Sequence, residues 1–342
     1  MRLAAALVVF AVLAAVVPIA PSTVERRYSS GVYPRMQASI TRATNYVPIA
    51  IIDIAGAVLI AGLLSLFIRR ARSVGVLRAV LRTAVTVVSC AAALYLLFVA
   101  LWGLNYRRIP LEQKLDYEAS RVTRAAAAAL ANAAAASMNR GYAAAHAQSP
   151  DLSSLARAFS AVQRSLGATD VAVAGVPKHS VLSWYFRRAA LDGMTDPFFL
   201  EILVNPDLLD IERPFVIAHE WAHLAGYANE AEANFLAWLT CVRGDALAEY
   251  SGWVAAYQHA AGALPRADRR TLTALDPGPR EDLGAIGERY SRSSPAVRRA
   301  AREIYDGYLR ANRVPEGIDS YDAVLRLMLG TRFGADGAAK RR

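Results

Sequence analysis

Three apolar runs in the first 104 residues limit most strongly what this chain can fold into. They cover residues 3–20, 47–68 and 79–102, and each is close to the roughly 20 residues that an α-helix needs to cross a bilayer. In hydrocarbon every backbone polar group must be satisfied within its own segment, so each run is predicted to be a transmembrane helix. Residues 1–104 are therefore predicted to form a membrane anchor, and residues 105–342 a separate domain.

The ends of these runs carry further information. The first run has a second interpretation as a cleaved signal peptide, but Pro18 and Pro21 around Ala20 make a poor cleavage site, so we predict a retained anchor. An acidic residue within a span is a functional candidate by default. Asp53, however, lies near the start of the second run, which favours an interfacial carboxylate that reaches the headgroups. Trp102 fits the aromatic belt where the third run ends.

Positive charge is concentrated in the membrane part. Residues 1–104 hold ten arginines and two acidic residues, whereas residues 105–342 hold 29 basic and 27 acidic residues. The domain lacks the concentrated basic face of a nucleic-acid-binding protein, so no nucleic-acid partner is expected. Four arginines at 69–78 place that loop in the cytoplasm by the positive-inside rule, although the longer loop at 21–46 also holds four. The chain is predicted to be a multi-pass cell-membrane protein with an extracytoplasmic domain.

The stretch His219-Glu220-Trp221-Ala222-His223 has the pattern of a zinc peptidase site. On a helix, His219 and His223 share one face, where two neutral imidazoles can bind one Zn²⁺. Glu220 can reach a water at that metal without being a ligand, which is the position of a general base. Pro214 suits the first turn of this helix, and Gly226 suits its end.

A second predicted helix, capped by Asn229, supplies acidic residues for a third ligand position. A catalytic zinc site uses three protein ligands and leaves one position for water. Glu230 is the predicted third ligand, and Glu232 is the alternative. Asn234 lies four residues after Glu230 on the same helix face, where it can orient an imidazole or the carboxylate. The competing interpretation is a pair of salt-bridged surface helices.

The segment Glu230-Ala231-Glu232-Ala233-Asn234, placed after a His-Glu-x-x-His stretch, resembles the way in which gluzincin-type membrane peptidases supply their third ligand. More closely, the chain resembles an uncharacterised bacterial family of membrane-anchored proteins, known as a domain of unknown function, over about residues 50 to 330. Other segments that carry this resemblance are Trp102-Gly103-Leu104-Asn105-Tyr106, Arg108, Pro110, Tyr250-Ser251-Gly252, Tyr305-Asp306-Gly307-Tyr308-Leu309 and Ser320-Tyr321. The resemblance implies a gluzincin-like zinc metallopeptidase and gives no substrate.

Beyond the membrane part, the pattern predicts an α+β fold that is mostly α. A zincin-like metallopeptidase domain is expected, with a small sheet before the motif helix and a helical C-terminal part. The strand at 198–204 is predicted to be an edge strand along the cleft, where an extended peptide can pair with it; the alternative is a wholly structural sheet. The predicted elements are helices at 111–139 and 152–166, strands at 170–176, 181–186 and 198–204, and helices at 229–243, 245–263, 266–275, 279–292, 295–312 and 319–330. No disulfide is expected between Cys90 and Cys241.

These observations predict a membrane-anchored, zinc-dependent metallopeptidase that hydrolyses a bond in a peptide or protein substrate. In this hypothesis His219, His223 and Glu230 hold Zn²⁺, and Glu220 takes the proton of the attacking water and passes it to the leaving amine. A further donor should stabilise the oxyanion. The candidates by residue type are Tyr250, Tyr305, Tyr308, Tyr321, His259 and His179, and the resemblance favours Tyr250 and Tyr321.

Three other functions are weighed against this hypothesis. An intramembrane protease is disfavoured, because residues 212–232 are too charged for a span. A catalytically inactive zinc-binding membrane sensor or scaffold is the main alternative, although a purely structural site does not need Glu220. A hydrolase of non-peptide amides, such as cell-wall crosslinks, would have the same signature.

Overall fold

The computed structural model describes residues 2–312 and 323–342, and this part is mostly helical, as predicted. Its first five helices are α1 (Arg2–Val16), α2 (Pro21–Thr23), α3 (Tyr33–Asn45), α4 (Ile51–Val74) and α5 (Val76–Leu101). Helices α4 and α5 are long and apolar enough to cross a membrane. They pack against each other as a hairpin that turns at Gly75, whose φ of 82° suits glycine. They correspond to the second and third predicted spans.

The first predicted span, residues 3–20, differs from the expectation. Helix α1 has 15 residues, about 22 Å at 1.5 Å per residue, and is too short to cross a bilayer by itself. It packs against α5, and it counts as a third span only together with Pro21–Asn45, which follows at an angle of 105°. Pro18 contributes to this break, because proline disfavours the helical conformation of the preceding residue.

Residues 21–46, predicted to be a loop between spans, instead form a helical segment, Pro21–Asn45, that we call the N-terminal arm. It contains a π-helical stretch at Val24–Val32 between α2 and α3. The arm packs against the part of the chain that carries the motif. The hydroxyl of buried Tyr33 donates at 2.8 Å to the carbonyl of Leu224, the last residue of the motif helix. The arm therefore belongs to the framework around the motif, and the boundary at residue 104 stays a prediction.

The predicted helix at 111–139 is interrupted. The structure has a short α6 (Leu111–Lys114), then an irregular segment, then α7 (Arg124–His146). The interruption occurs because Leu115 and Tyr117 pair with the C-terminal residues Arg341 and Thr331 in isolated β-bridges. Sequence propensity alone does not show such a distant partner. The following helix, α8 (Leu152–Ser165), agrees with its prediction.

Two of the three predicted strands are wrong. Residues 170–176 are not a strand. The amides of Gln37 and Gln163 bond Val173 and Ala172, so side chains take the place of a neighbouring strand. Residues 181–186 overlap the helix α9 (Ser183–Ala189).

The sheet has three short strands, β1 (Pro177–Lys178), β2 (Gly193–Asp196) and β3 (Glu201–Val204), in the order β1-β3-β2. The third predicted strand, 198–204, contains β3, but β3 is central and fully buried, so its predicted role as an edge strand is wrong. Strand β2 pairs antiparallel with β3, and both strands pack against the motif helix. The edge that borders the motif is therefore β2.

The rest of the described chain is helical, as predicted. Its helices are α10 (Arg213–Leu224), α11 (Glu230–Cys241), α12 (Ala246–Gly262), α13 (Arg266–Arg269), α14 (Pro277–Ser291), α15 (Pro295–Ala311) and α16 (Ala323–Gly330). The predicted helix at 266–275 is reduced to the single turn of α13, and the start of the predicted helix at 319–330 lies outside the described residues. Cys90 and Cys241 are both free, in agreement with the prediction of no disulfide. Helices α10 and α11 pack against each other at the centre of the buried core.

Candidate metal centre

Helix α10 places both motif histidines on one face. Pro214 lies in its first turn, and the buried side chains of Ile217, Trp221 and Leu224 fix the opposite side of the helix in the core. The Nε2 atoms of His219 and His223 point towards each other and are 3.0 Å apart. This spacing follows from the four-residue separation on an α-helix.

Helix α11 brings Glu230 to the same point. Asn229 caps this helix, because its side-chain oxygen accepts hydrogen bonds from the backbone N–H groups of Ala231 and Glu232. Glu230 is therefore the first residue of a helix that is buried along its whole length. Its Oε2 lies 3.3 Å from Nε2 of His219, and its Oε1 lies 3.6 Å from Nε2 of His223. The predicted set of two imidazoles and one carboxylate meets in one place.

Each imidazole is oriented through its other ring nitrogen. Nδ1 of His219 donates to Oδ1 of Asn234 at 2.8 Å, and Nδ1 of His223 donates to the carbonyl of Tyr227 at 2.8 Å. Because both Nδ1 atoms carry the proton in these bonds, both Nε2 atoms of the neutral rings present lone pairs towards Glu230. Metal-binding histidines are held by such partners in general.

The donor set fits a metal ion. The nearest candidate ligand atoms of His219, His223 and Glu230 lie within 4.8 Å of one another, and this is the only such group of three found among residues 2–312 and 323–342. Oε2 of Glu230 is buried without a hydrogen-bond partner, and a buried carboxylate oxygen in that state is costly. Three converging lone-pair donors and one unsatisfied oxygen suit a divalent cation such as Zn²⁺.

The protonation of the cluster also favours a cation at this point. Burial opposes protonation of His223, but the carboxylate of Glu230 outweighs it and raises the pKa of His223 to about 9. Burial likewise raises the pKa of Glu230, but the imidazoles of His223 and His219 outweigh it and hold that pKa well below its ordinary value. Glu230 is therefore a carboxylate that needs positive charge beside it, and a metal ion would replace the proton.

Glu220 lies next to this cluster without belonging to it. Its Oε2 accepts a hydrogen bond from the hydroxyl of Thr195 in β2 at 2.8 Å, and the same hydroxyl lies 3.0 Å from its carbonyl oxygen. Burial raises the pKa of the Glu220 carboxyl above its ordinary value, and the imidazoles and Thr195 oppose this only in part. A Cβ at Gly193 would lie 2.6 Å from Oε1 of Glu220, so only glycine leaves room there. Neither Thr195 nor Gly193 carried a signal in the sequence.

The alternative third ligand, Glu232, points elsewhere. Its Oε1 accepts a hydrogen bond from the backbone N–H of Leu111 at 2.5 Å. Burial raises the pKa of Glu232, and this N–H and the charges of Arg108 and Lys114 lower it in part. Arg108 stacks on Tyr227 and also pairs with Glu25 of the N-terminal arm. Glu232 thus belongs to a buried charge network behind the cluster and does not approach the imidazoles.

A cavity of about 600 Å³ opens beside the cluster. Its walls include His219, Glu220 and Asn234, together with Arg298 and Arg302 of α15. A volume of this size accommodates a few residues of an extended peptide. Glu220 and, from the cluster, His219 therefore form part of the cavity wall.

Two of the predicted oxyanion donors, Tyr305 and His259, line this cavity. Tyr305 lies on α15, and its hydroxyl donates to Oε1 of Glu230. Tyr305 thus contacts a predicted ligand directly. His259 lies on α12.

Three of the remaining predicted donors lie within the described residues and do not line the cavity. Tyr250 is buried and donates to Asp282 on the far side of α12. Tyr308 packs against the rings of Phe98 and Tyr106, and Nδ1 of His179 lies 3.2 Å from the carbonyl oxygen of Val204. Tyr321 lies outside the described residues.

Comparison with known proteins assigns the family. A family described as "Protein of unknown function (DUF3810)" matches residues 28–329. The chain belongs to this family. The match begins within the N-terminal arm and includes the long apolar helices α4 and α5 as well as α10 and α11. It therefore starts earlier than the resemblance, which begins at about residue 50. No curated protein and no solved structure matches the chain.

Proposed function

We propose that the chain is a membrane-anchored zinc metallopeptidase of gluzincin type, with a zincin-like domain. The observation that carries this proposal is the convergence of His219, His223 and Glu230 on one point, with Glu220 beside it at the wall of an open cavity. A purely structural metal site is closed by four protein ligands, whereas three ligands beside a cavity leave a position for a reactant. When bound, Zn²⁺ supplies a Lewis acid that polarises the substrate carbonyl and acidifies water.

The residues of the chain have distinct roles in this proposal. His219, His223 and Glu230 hold the metal, and Asn234 and the carbonyl of Tyr227 keep both imidazoles in the orientation that presents Nε2. Glu220 accepts a proton from the attacking water and returns it to the leaving amine. The bond from Thr195 fixes the Glu220 carboxylate towards the cavity, which limits the motion of the base. Tyr305 is the proposed donor to the oxyanion, because its hydroxyl already lies at the cluster.

Strand β2 offers a backbone site for an extended substrate. Asp192 and Asn205 lie opposite each other and are joined by a backbone bond of 2.9 Å, from the N–H of Asn205 to the carbonyl of Asp192. Since hydrogen-bonded and non-bonded pairs alternate along antiparallel strands, the N–H and C=O groups of Gly193 and Thr195 point away from β3. Of these two residues, Gly193 forms part of the cavity wall beside Glu220. A peptide added at this edge would present its own backbone to the general base.

The arrangement of charge supports an extracytoplasmic site. Helix α4 begins and α5 ends on the side of the domain, whereas the arginines lie at the opposite end of the hairpin, at positions 69, 70, 72, 78 and 82. By the positive-inside rule this arginine-rich end faces the cytoplasm. The rule gives this orientation from the hairpin itself, whatever α1 does. The proposed location is therefore the cell membrane, with the cavity outside the cytoplasm.

The proposal is tested with the full chain purified in detergent and a mixture of fluorogenic peptides as the substrate probe. The parent chain loaded with zinc should hydrolyse part of the mixture. Glu220→Gln keeps the size of the side chain and should keep the zinc. Its rate of hydrolysis should fall by a factor of at least about 10²–10⁴, the usual contribution of a general base. Thr271→Val, at an exposed position away from the cavity, is the matched control and should retain activity.

Two results would contradict the peptidase. The first is hydrolysis by Glu220→Gln at the parent rate. The second combines two observations. The zinc-loaded parent chain hydrolyses no peptide, and Glu220→Gln restores function to a deletion strain as well as the parent chain does. That second result would favour the sensor or scaffold, in which the zinc site is structural and needs no base.

A further inference from the structure

The end of helix α5 lies directly against the motif helix. The indole N–H of Trp102, the residue after α5, donates to the carbonyl of His223 at 2.9 Å. The rings of Trp102 and His223 are 6.2 Å apart between centroids, and Trp102 is 6 % exposed. Phe98, in the last turn of α5, packs against Tyr308 of α15. One aromatic side chain thus separates the end of a candidate membrane helix from a predicted metal ligand.

The start of helix α4 is fixed to the domain as firmly. The N–H of Ile52 donates to Oε1 of buried Glu201 in β3 at 3.1 Å. The carboxylate of Asp53 accepts hydrogen bonds from the hydroxyl of Ser180 at 2.7 Å and from the N–H of Val181 at 2.8 Å. Asp53 is therefore neither a free interfacial acid nor buried in lipid. It joins the first turn of α4 to the loop before α9, and this places that loop at the level where the apolar helix begins.

Exposed apolar side chains surround this junction. We call them the apolar collar: Tyr46, Ile49, Val181, Leu182 and Trp184. Trp184 and Val181 are 57 % and 74 % exposed. Contiguous exposed apolar surface of this kind marks an interaction site, and tryptophan and tyrosine are enriched at the membrane–water interface.

A lipid surface is the occupant that fits the collar. Phe186 of α9 is buried together with Ala50, immediately before the first residue of α4. The collar is therefore continuous with the outer surface of the helix that enters the membrane. Its side chains are uncharged, as expected for residues at the boundary between headgroups and acyl chains.

The collar and the cavity share helix α9. This helix carries Trp184 in its first turn, and the residues at and after its C-terminus, Ala189, Ala190 and Leu191, form part of the cavity wall. Seven residues of α-helix extend about 10 Å. The wall of the cavity is thus roughly one short helix away from the collar, and the motif helix is in direct contact with the end of α5.

From these contacts we infer that the collar holds the cavity against the lipid surface and that its substrates are membrane-borne polypeptides cut close to the bilayer. This inference rests on the proposed peptidase activity. An extended chain advances about 3.3 Å per residue, so roughly three residues cover the distance of about 10 Å between the collar and the cavity wall. The expected cleavage position is within about ten residues of a transmembrane segment or lipid anchor.

The position of the collar is tested on the full chain reconstituted in phosphatidylcholine–phosphatidylglycerol vesicles. A fluorophore is attached at Trp184→Cys in a Cys90→Ala background, since Cys241 is fully buried. A quencher placed on the lipids at the depth of the headgroup–acyl boundary should reduce its emission at least twofold more than that of a label at Arg269→Cys, an exposed residue of α13. Val181→Cys provides a second position in the collar. Equal quenching at the collar and at Arg269 would overturn the lipid contact.

The substrate class is tested by comparing new protein N-termini in membranes from cells that express the parent chain or Glu220→Gln. Termini that depend on Glu220 should cluster within about ten residues of transmembrane segments. Termini that depend on Glu220 but lie in soluble proteins, or far from any span, would overturn this inference and leave the peptidase intact. No termini that depend on Glu220 would instead count against the peptidase itself, and the inference would fall with it.

Discussion

Replacing Asn234 by leucine should weaken zinc binding without removing any ligand. Asn234 is 5 % exposed, and its Oδ1 accepts the hydrogen bond from Nδ1 of His219 at 2.8 Å. Leucine keeps the branching at Cγ but has no acceptor, so the imidazole loses the bond that fixes its orientation and its tautomer. Asn234→Asp is the matched control, because it keeps an acceptor in the same place. Its added negative charge makes the Nε2 atom of His219 a stronger metal ligand.

The size of the effect follows from this single contact. Loss of the partner that orients a metal-binding histidine costs about 10- to 100-fold in metal affinity, which equals about 1.4–2.7 kcal/mol. Asn234→Asp should bind zinc as tightly as the parent chain or more tightly.

The assay is a competition titration of the full chain in detergent against a chromophoric chelator of known zinc affinity. The melting temperature of the zinc-free forms is measured in parallel, and the three proteins should agree within about 4 °C, so that a folding defect is not mistaken for a weaker site. Parent-like zinc affinity in Asn234→Leu would refute the role given to Asn234. Equal weakening in both variants would show that packing around residue 234, and not the hydrogen bond, decides the affinity.

Three further predictions concern the base, the arm and the orientation. Thr195→Val, which removes the hydroxyl 2.8 Å from Glu220, should lower kcat by roughly tenfold and leave zinc content unchanged; an unchanged kcat would show that the bond does not position the base. Burial raises the pKa of Glu25, but Arg108 and Lys114 outweigh it and hold that pKa at about 2. The Glu25 carboxylate therefore stabilises the fold at pH values above its ordinary pKa of 4.5, and this stabilisation is lost as the pH falls through about 2. Glu25→Gln should therefore melt at a lower temperature than the parent at neutral pH and approach it below about pH 3, and a constant difference would contradict this. Alkaline phosphatase fused after residue 342 should be active in cells, whereas activity of only a cytoplasmic reporter there would reverse the orientation.

Local sequence rules predicted the two helices of the candidate site. The spacing of His219 and His223 and the cap at Asn229 depend on neighbours within four residues, and such rules fix α10 and α11 to within a residue or two. The choice between Glu230 and Glu232 could not be decided in this way. It depends on the N–H of Leu111, 121 residues away in the chain, which bonds Glu232 and turns it away from the imidazoles.

The errors arise where partners are distant. The N-terminal arm looked like a polar loop because Gln37, Thr41 and Thr44 are polar, yet all three are buried. Their hydrogen bonds go to each other, or to backbone carbonyls such as those of Val173 and Leu200, which no local pattern reveals. Polar residues spaced by three and four positions, as here, were the available signal of a helix with one polar buried face.

Strand β2 was missed for a different reason. Gly193-Met194-Thr195-Asp196 has no alternation of apolar and polar residues, so periodicity gives no sign of a strand. This segment is a strand because it pairs with β3. The same pairing places β3, the predicted edge strand, at the centre of the sheet. Thr195 and Gly193 border Glu220 only as a consequence of that register.

The zinc content of four purified proteins tests the central claim most directly. The parent chain and Glu232→Gln should each hold one zinc per chain, because Glu232 does not approach the imidazoles. His219→Ala and Glu230→Gln should hold close to none after mild dialysis against chelator, because two remaining ligands bind zinc poorly. A parent chain that binds no zinc, or zinc retained in both His219→Ala and Glu230→Gln, would contradict the assignment of the metal centre.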